Sequence, residues 1–417
     1  MSALARRRRI ALFSVHGDPL LPLGSEEAGG QNVYVREVAR SLAERQVDVD
    51  VFTRGRTCTR PEVHDLGPAR VIRLPAGPTG FISRNNLFRY LPEFLENVES
   101  YARWSGSRYE AVHTNYWLSG WVGLQLAERW AVPHVHTNHS LGLVKYQSEL
   151  ALPPHARHRI RVETQIVAGS NRTIATSPQE RDILHRSYQA EGRVSIVPCG
   201  VDQRIFKPRN RKESRMALGL PRDVPLLAYA GRFDPGKGID TLIEALAILN
   251  RQGPCHLVLA GGFDPEGPDA AEFSRIVRRV EELDLTGRTT FLGRVEPRHL
   301  ATVYSAADLC VIPSHYESFG LVAIESMGCG TPVVASRVGG LQYAVQEGET
   351  GFLVPPRDPE AFARSCARVI ADPVLRQRLS ARGVQRVHHA FTWEAVAAQL
   401  DALYRKVHQE RNVESRA

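Results

Sequence analysis

At 417 residues, the chain is long enough for two to three domains of roughly 150 residues each, and its cores need no disulfide or metal staples. Apolar residues make up 43% and charged residues 24%, ordinary values for a globular protein that exclude a disordered or fibrous chain. The formal net charge of +8 admits nucleic acid, a membrane surface or a small anion as partner and does not choose among them.

The chain opens on a basic run, Arg6 to Arg9, read as a solvated tail before the first strand; a polyanion-binding arm is the alternative. β-Branched runs then predict strands at Ile10 to His16, Val47 to Thr53, Val71 to Leu74, Ala111 to Thr114, His134 to Thr137, Thr173 to Thr176 and Ser195 to Val197. Between the first two, Val35, Val38, Ala39 and Leu42 recur at helical spacing and predict a helix over Gln31 to Arg45. A polar, proline-containing stretch between about 200 and 225 marks a domain boundary. Beyond it strands are expected at Leu226, His256, Thr290, Leu309, Val333 and Phe352, with helices at Gly238 to Asn250, Ala270 to Leu283, Leu321 to Met327 and Pro359 to Asp372. The alternation predicts an α/β protein of two doubly wound, Rossmann-like domains, 1–200 and 201–390. They are expected to face each other across a cleft at the carboxyl ends of both sheets. A last helix, about Thr392 to His408 within 391–417, is expected to pack back over the hinge.

No cysteine pair has C-x-x-C spacing, the apolar stretch after the arginines is too short for a signal peptide, and no run reaches 18 apolar residues. We therefore expect a reduced, cytoplasmic protein without a transmembrane segment.

Three segments carry chemistry. In residues 315–335, Glu317 lies in a loop after a strand, Ser318-Phe319-Gly320-Leu321 enters a helix, and Glu325 follows about one turn in. A helix start favours a phosphate, and two carboxylates suit sugar or ribose hydroxyls, which need acceptors. Next, Gly231-Arg232-Phe233-Asp234-Pro235-Gly236-Lys237-Gly238 follows a strand and opens a helix. Its glycines let backbone approach an anion, and Arg232 and Lys237 neutralise a diphosphate; Gly238 stands where a Walker A loop needs Ser or Thr. Third, Glu26-Glu27-Ala28-Gly29-Gly30-Gln31 places a glycine pair at a helix start, with an amide that both donates to and accepts from a polyol. His134, His136 and His139 form H-x-H-x-x-H, but no metalloprotease Glu follows. His139 with Ser140, Gly142 and Lys145 is read instead as a polar loop lining the cleft, and no metal site is expected. Asp48-Val49-Asp50 matches a D-x-D metal pattern by chance, at the opposite end of the sheet.

Together these segments resemble glycosyltransferase family 4, retaining enzymes of the GT-B arrangement. Two branches are similar. Sucrose-phosphate synthases resemble the chain through G-G-Q (Gly29 to Gln31), F-I-S-R-N-N-L, H-S-L-G with Lys145, and R-I-R-V-E. The mycothiol-pathway branch, which joins N-acetylglucosamine to inositol phosphate, is similar through N-V-Y-V, A-G-P and Y-W-L-S-G; it usually carries Met at the place of Gln31 and Thr-Leu-Ala at Ser140 to Gly142.

The resemblance implies that Arg232 and Lys237 hold the donor diphosphate, Glu325 the ribose and Glu317 the donor sugar, with Gly30 and His139 flanking the reacting sugar. Phe319, Gly320 and Leu321 line the helix start, and Arg294 belongs to the segment near the base. Gln31, Arg84, Tyr116, Ser140, Lys145 and Arg159 would bind the acceptor and its phosphate; Arg84 replaces the Lys common at that place. It also implies a metal-independent, retaining hexose transfer without a cofactor, from UDP-glucose to fructose 6-phosphate, with UDP-N-acetylglucosamine and inositol phosphate as the alternative. No nucleic-acid partner is expected. A reading from another class is a non-catalytic nucleotide-sugar sensor.

Overall fold

A computed structural model of the chain describes residues 7–21, 29–146, 152, 154–190, 192–261 and 269–414. Arg6, Glu26, Glu27 and Ala28 lie outside the described residues. The chain divides into two compact units, residues 1–198 with 393–417, and residues 199–392.

The first unit runs β1 (Arg9–Phe13), α1 (Gly30–Glu44), β2 (Asp48–Arg54), β3 (Glu62–Leu66), β4 (Ala69–Leu74), α2 (Arg84–Leu87), α3 (Leu91–Ser105), β5 (Ala111–Asn115), α4 (Tyr116–Arg129), β6 (His134–Thr137), α5 (Gly142–Lys145), α6 (Pro154–Gly169), β7 (Arg172–Ala175), α7 (Pro178–Tyr188) and β8 (Val194–Ile196). Its sheet has the order β3-β4-β2-β1-β5-β6-β7-β8 and is parallel except where β3 pairs antiparallel with β4. Strand β3 is absent from the sequence reading because its residues Glu62-Val63-His64-Asp65-Leu66 are mostly polar and half-exposed. It forms an edge hairpin turned at Gly67, whose φ of 65° suits glycine. Central β5, by contrast, is buried on both faces, as expected for a strand covered by helices on either side.

The second unit contains α8 (Arg211–Ala217), β9 (Leu226–Ala230), α9 (Ile239–Asn250), β10 (His256–Ala260), α10 (Asp269–Glu282), β11 (Thr289–Gly293), α11 (Pro297–Ala306), β12 (Leu309–Ile312), α12 (Leu321–Gly328), β13 (Val333–Ser336), α13 (Leu341–Ala344), β14 (Gly351–Val354), α14 (Pro359–Ala371) and α15 (Pro373–Ala390). Its sheet is fully parallel, in the order β11-β10-β9-β12-β13-β14. In both units the order reverses beside the first strand: β1 lies between β2 and β5, and β9 between β10 and β12. Such switch points open a crevice at the carboxyl ends of the strands. The loops that follow β1, β5, β9 and β12 are therefore the ones the topology gathers into site-building positions.

The last helix, α16 (Trp393–Glu414), belongs to the first unit and packs on α1. Tyr404 Oη lies 2.6 Å from His113 Nδ1, Arg172 Nη2 donates to both Glu410 carboxylate oxygens at 2.9 Å, and Arg8 is ion-paired with Asp401. Arg9 in turn bonds Asp48 and Ser107, each at 3.0 Å. The solvated-tail reading is corrected for these two residues: Arg8 and Arg9 are partners in the unit's own packing. Among the described residues no helix is long and apolar enough to cross a membrane.

Candidate active site

In the second unit, the loops after β9 and β12 gather a cluster of the candidate residues. Asp234 organises the first loop with both carboxylate oxygens: Oδ1 accepts the Gly236 N–H at 2.8 Å and Oδ2 accepts from Arg232 Nη2 at 3.3 Å. Gly238 has φ 64°, and a Cβ there would lie 2.2 Å from the Pro313 carbonyl oxygen, so this position tolerates only glycine. The tight fit lets the His315 N–H reach the Gly236 carbonyl at 2.8 Å, which locks the two loops together. Across that junction Lys237 Nζ donates to Glu317 Oε2 at 2.6 Å. Arg232, Lys237 and Glu317 are thus brought into one polar cluster.

The Glu317 loop is held from behind by Gly339 and Gly340, which the sequence reading did not single out. The Gly340 N–H bonds the Glu317 carbonyl at 3.0 Å. A Cβ at Gly339 would stand 2.0 Å from that oxygen, and one at Gly340 2.4 Å from the Ser318 oxygen. Gly320, at φ 95°, caps α12, so Leu321 begins the helix, while Phe319 is buried edge-on against Phe391. Glu325 Oε2 accepts from Tyr304 Oη at 3.1 Å. Its carboxyl is pushed up to about 7 by desolvation, because one neutral hydroxyl offsets only part of the cost of burying its charge. Arg294 is exposed just past β11, two strands out from β9.

The first unit gathers a second cluster. Gly30 starts α1 behind the loop from β1, and Asn32 pins that loop by accepting the Gly29 N–H at 3.0 Å and donating to the Asp18 carbonyl at 2.8 Å. Gln31 Nε2 donates to Ser14 Oγ at 3.1 Å, which fixes the amide over the end of β1. His139 adopts φ 59°, a left-handed conformation uncommon for a residue with a side chain, and its Nε2 lies 2.8 Å from Asn115 Oδ1. Burial lowers its pKa to about 3, so the imidazole is neutral at physiological pH.

Arg159 is the hub of this cluster. Its Nε donates to Glu163 Oε1 at 2.6 Å, Nη1 to Tyr116 Oη at 3.1 Å, and Nη2 to the Ser140 carbonyl and hydroxyl at 2.7 and 3.3 Å. Its guanidinium also stacks over the Tyr116 ring, 4.9 Å from the centroid. Glu163 Oε2 accepts the Gly142 N–H at 2.8 Å and the Tyr188 hydroxyl at 2.6 Å. Tyr116, Ser140 and Arg159 are therefore assembled as one network, while Lys145, exposed at the end of α5, lies over Tyr146.

His16 joins the network unannounced by the sequence reading, which placed it only as a strand end. Its ring sits 4.6 Å from Tyr116. Desolvation, followed by the nearby cations of Arg84, Arg159 and Arg56, drives its pKa well below the usual histidine value. The available signal was positional: a histidine at the carboxyl end of the switch-point strand.

The H-x-H-x-x-H histidines hydrogen-bond neighbouring polar side chains. Thr114 Oγ1 lies 2.7 Å from His134 Nε2 and 2.8 Å from His136 Nδ1. Asp50 receives a fork from Arg70 at 2.9 Å and the Tyr109 hydroxyl at 2.8 Å. Among the described residues, no group of three or more His, Cys, Asp or Glu side chains is placed to hold a metal ion.

Residues 28–204 match the family model described as Glycosyltransferase Family 4, and residues 210–386 match that of Glycosyl transferases group 1. The D-inositol 3-phosphate glycosyltransferase 2 of Catenulispora acidiphila is 41% identical over 95% of this chain and 94% of its own length. The D-inositol 3-phosphate glycosyltransferase of Saccharomonospora viridis is 40% identical over 96% and 94%. Among solved structures, the sucrose-phosphate synthase of Thermosynechococcus elongatus is 46% identical with a TM-score of 0.88, covering 96% of this chain and 99% of that one. Anabaena HepE in complex with UDP and glucose, at 20% identity and a TM-score of 0.73 over 95% and 99%, shares the fold. With two doubly wound domains, both family models matched and relatives of this identity along nearly its whole length, the chain belongs to glycosyltransferase family 4 and is a GT-B glycosyltransferase, a class that binds nucleotide-sugar donors and sugar acceptors.

Proposed function

We propose that the protein transfers glucose from UDP-glucose to the phosphorylated sugar fructose 6-phosphate, with retention at the anomeric carbon. The observation that carries this reading is the Arg159 network: a buried guanidinium with the Tyr116 and Ser140 hydroxyls. A cation and hydroxyls gathered in this way suit a phosphate dianion. Gln31, held by Ser14, supplies an amide for the acceptor hydroxyls, and the 46% identical sucrose-phosphate synthase favours fructose 6-phosphate. The 41% identical D-inositol 3-phosphate glycosyltransferase favours a second reading, N-acetylglucosamine transfer to inositol phosphate.

On the donor side, Arg232 and Lys237 stabilise charge developing on the leaving diphosphate. Glu317 accepts from the sugar hydroxyls and Glu325 from the ribose, while Arg294 reaches toward the base. Neutral His139 contributes a hydrogen bond to the reacting sugar and is not an acid for the leaving group. A donor phosphate oxygen takes the acceptor proton, so no side chain need act as a strong base. We propose that the reaction is cytoplasmic and needs no metal ion.

A matrix of UDP-glucose and UDP-N-acetylglucosamine against fructose 6-phosphate, fructose, inositol phosphate and inositol, read by nucleotide release, tests the assignment. Turnover confined to UDP-glucose with fructose 6-phosphate is expected. Turnover confined to UDP-N-acetylglucosamine with inositol phosphate would select the second reading, and equal use of fructose and fructose 6-phosphate would remove the phosphate site.

Glu325 adds a pH signature. Its carboxyl, raised to about 7, is ionised above that pH and gains a proton below it, losing capacity to accept from ribose hydroxyls. Affinity for UDP-glucose, whose diphosphate stays ionised throughout, should weaken as pH falls from about 8 to 6, and Glu325→Gln should flatten the profile. A wild-type affinity constant across this range, measured by calorimetry, would refute the ribose role.

A further inference from the structure

Arg54 ends β2 with its side chain buried, and its hydrogen bonds go to main-chain carbonyls. Nε donates to the Ala76 oxygen at 2.7 Å, Nη1 to the Gly80 oxygen at 3.0 Å, and Nη2 to the Pro78 oxygen. Burying a guanidinium is expensive unless its donors are satisfied, and here burial itself lowers the Arg54 pKa, followed by the neighbouring Arg56 charge. The cation is therefore committed to one loop, residues 75–83, through every second carbonyl from 76 to 80.

That loop is fastened from its other side too. The Gly77 N–H bonds Glu93 Oε2 at 2.8 Å, Asn97 Nδ2 bonds the Pro75 oxygen at 2.9 Å, and the Gly80 N–H bonds the Arg56 oxygen at 2.6 Å. Gly77 has φ 66° and lies flat on Tyr90, so that a Cβ would come 2.6 Å from the ring. The loop leads straight into α2, whose first residue is Arg84. Arg84 acts electrostatically on His16, which packs on Tyr116.

We propose that Arg54 is a positioning residue for the acceptor: its three-carbonyl fork sets the 75–83 loop and thereby the start of α2, where Arg84 stands. The kinetic part rests on the reading of Arg84 as a ligand of the acceptor phosphate. A lysine ammonium is a compact point charge and does not reproduce a planar fork across three carbonyls.

The test pairs Arg54→Lys with Glu93→Ala, an exposed residue that holds the same loop from outside the sheet. In both variants, amide hydrogen exchange over residues 75–84 should quicken, by about 10-fold or more in Arg54→Lys, while β1 and β5 keep their protection. The KM for the phosphorylated acceptor should rise by roughly 10-fold with donor KM unchanged. Unchanged exchange in the loop, or equal shifts of acceptor and donor KM, would overturn the proposal. If Arg54→Lys does not fold, Glu93→Ala carries both readouts. Arg84→Ala separates the two readings: an unaltered acceptor KM there removes the phosphate role of Arg84, whereas the hold of Arg54 on the loop is judged by exchange alone.

Discussion

Lys237→Ala should lower kcat by about 10²- to 10³-fold with whichever acceptor the enzyme uses, the range typical of removing one preorganised charge from a developing anion. The geometry gives this change two costs. The ammonium, 2.6 Å from Glu317 Oε2, would no longer offset charge on the departing diphosphate. The Glu317 carboxylate, only 21% exposed, would also lose its cation and face that charge as a repulsive neighbour. The two residues should therefore behave as a unit: the double variant Lys237→Ala/Glu317→Gln should lose less than the sum of the single losses. Lys237→Arg, which keeps the charge but changes its shape, should fall between wild type and alanine. Single-turnover rates with UDP-glucose check this, and an unaltered rate for Lys237→Ala would end the diphosphate assignment.

Lys237 and Glu317 were legible in the sequence because each sits in a contiguous run whose residue types state the chemistry. The same holds for the buried strands β1 and β9, where apolar runs are dense. What stayed hidden acts through distant partners. Gly339 and Gly340 matter because the Glu317 loop lies against them, and no local pattern announces that contact. His16 gains meaning from Tyr116, a hundred residues on, and Arg54 from a loop that bends back over β2. Arg8 reads as one of four arginines in a tail until Asp401, on the far end of the chain, supplies its counter-ion. Strand β3 was lost for another reason: an edge strand with one exposed face needs neither a dense apolar run nor strict alternation, and its polar residues look like loop.

Arg159→Ala is the second large effect, and the structure changes what it should do. Read from the sequence, Arg159 is a cation for the acceptor phosphate, and its removal costs roughly 1.5 to 3 kcal/mol of acceptor binding, about 10- to 150-fold. In the structure it is 3% exposed and Glu163 is 1% exposed, so the substitution also strands a buried carboxylate that still accepts from Gly142 and Tyr188. Breaking a buried pair by removing one partner costs about 3–5 kcal/mol. For a unit of this size that is a fall in Tm of roughly 6 to 20 °C. Stability and recognition are separable because they depend on different atoms. In Arg159→Ala/Glu163→Gln the neutral amide still accepts through its oxygen without an uncompensated charge, so most of the lost Tm should return. The hydroxyls of Tyr116 and Ser140 would remain without the guanidinium that orients them, and the preference for a phosphorylated over a dephosphorylated acceptor should stay lost. Recovery of that preference together with Tm would show that Arg159 serves only the packing of α6 against α5, and the acceptor phosphate would then have to be met by Arg84 and Lys145 without it.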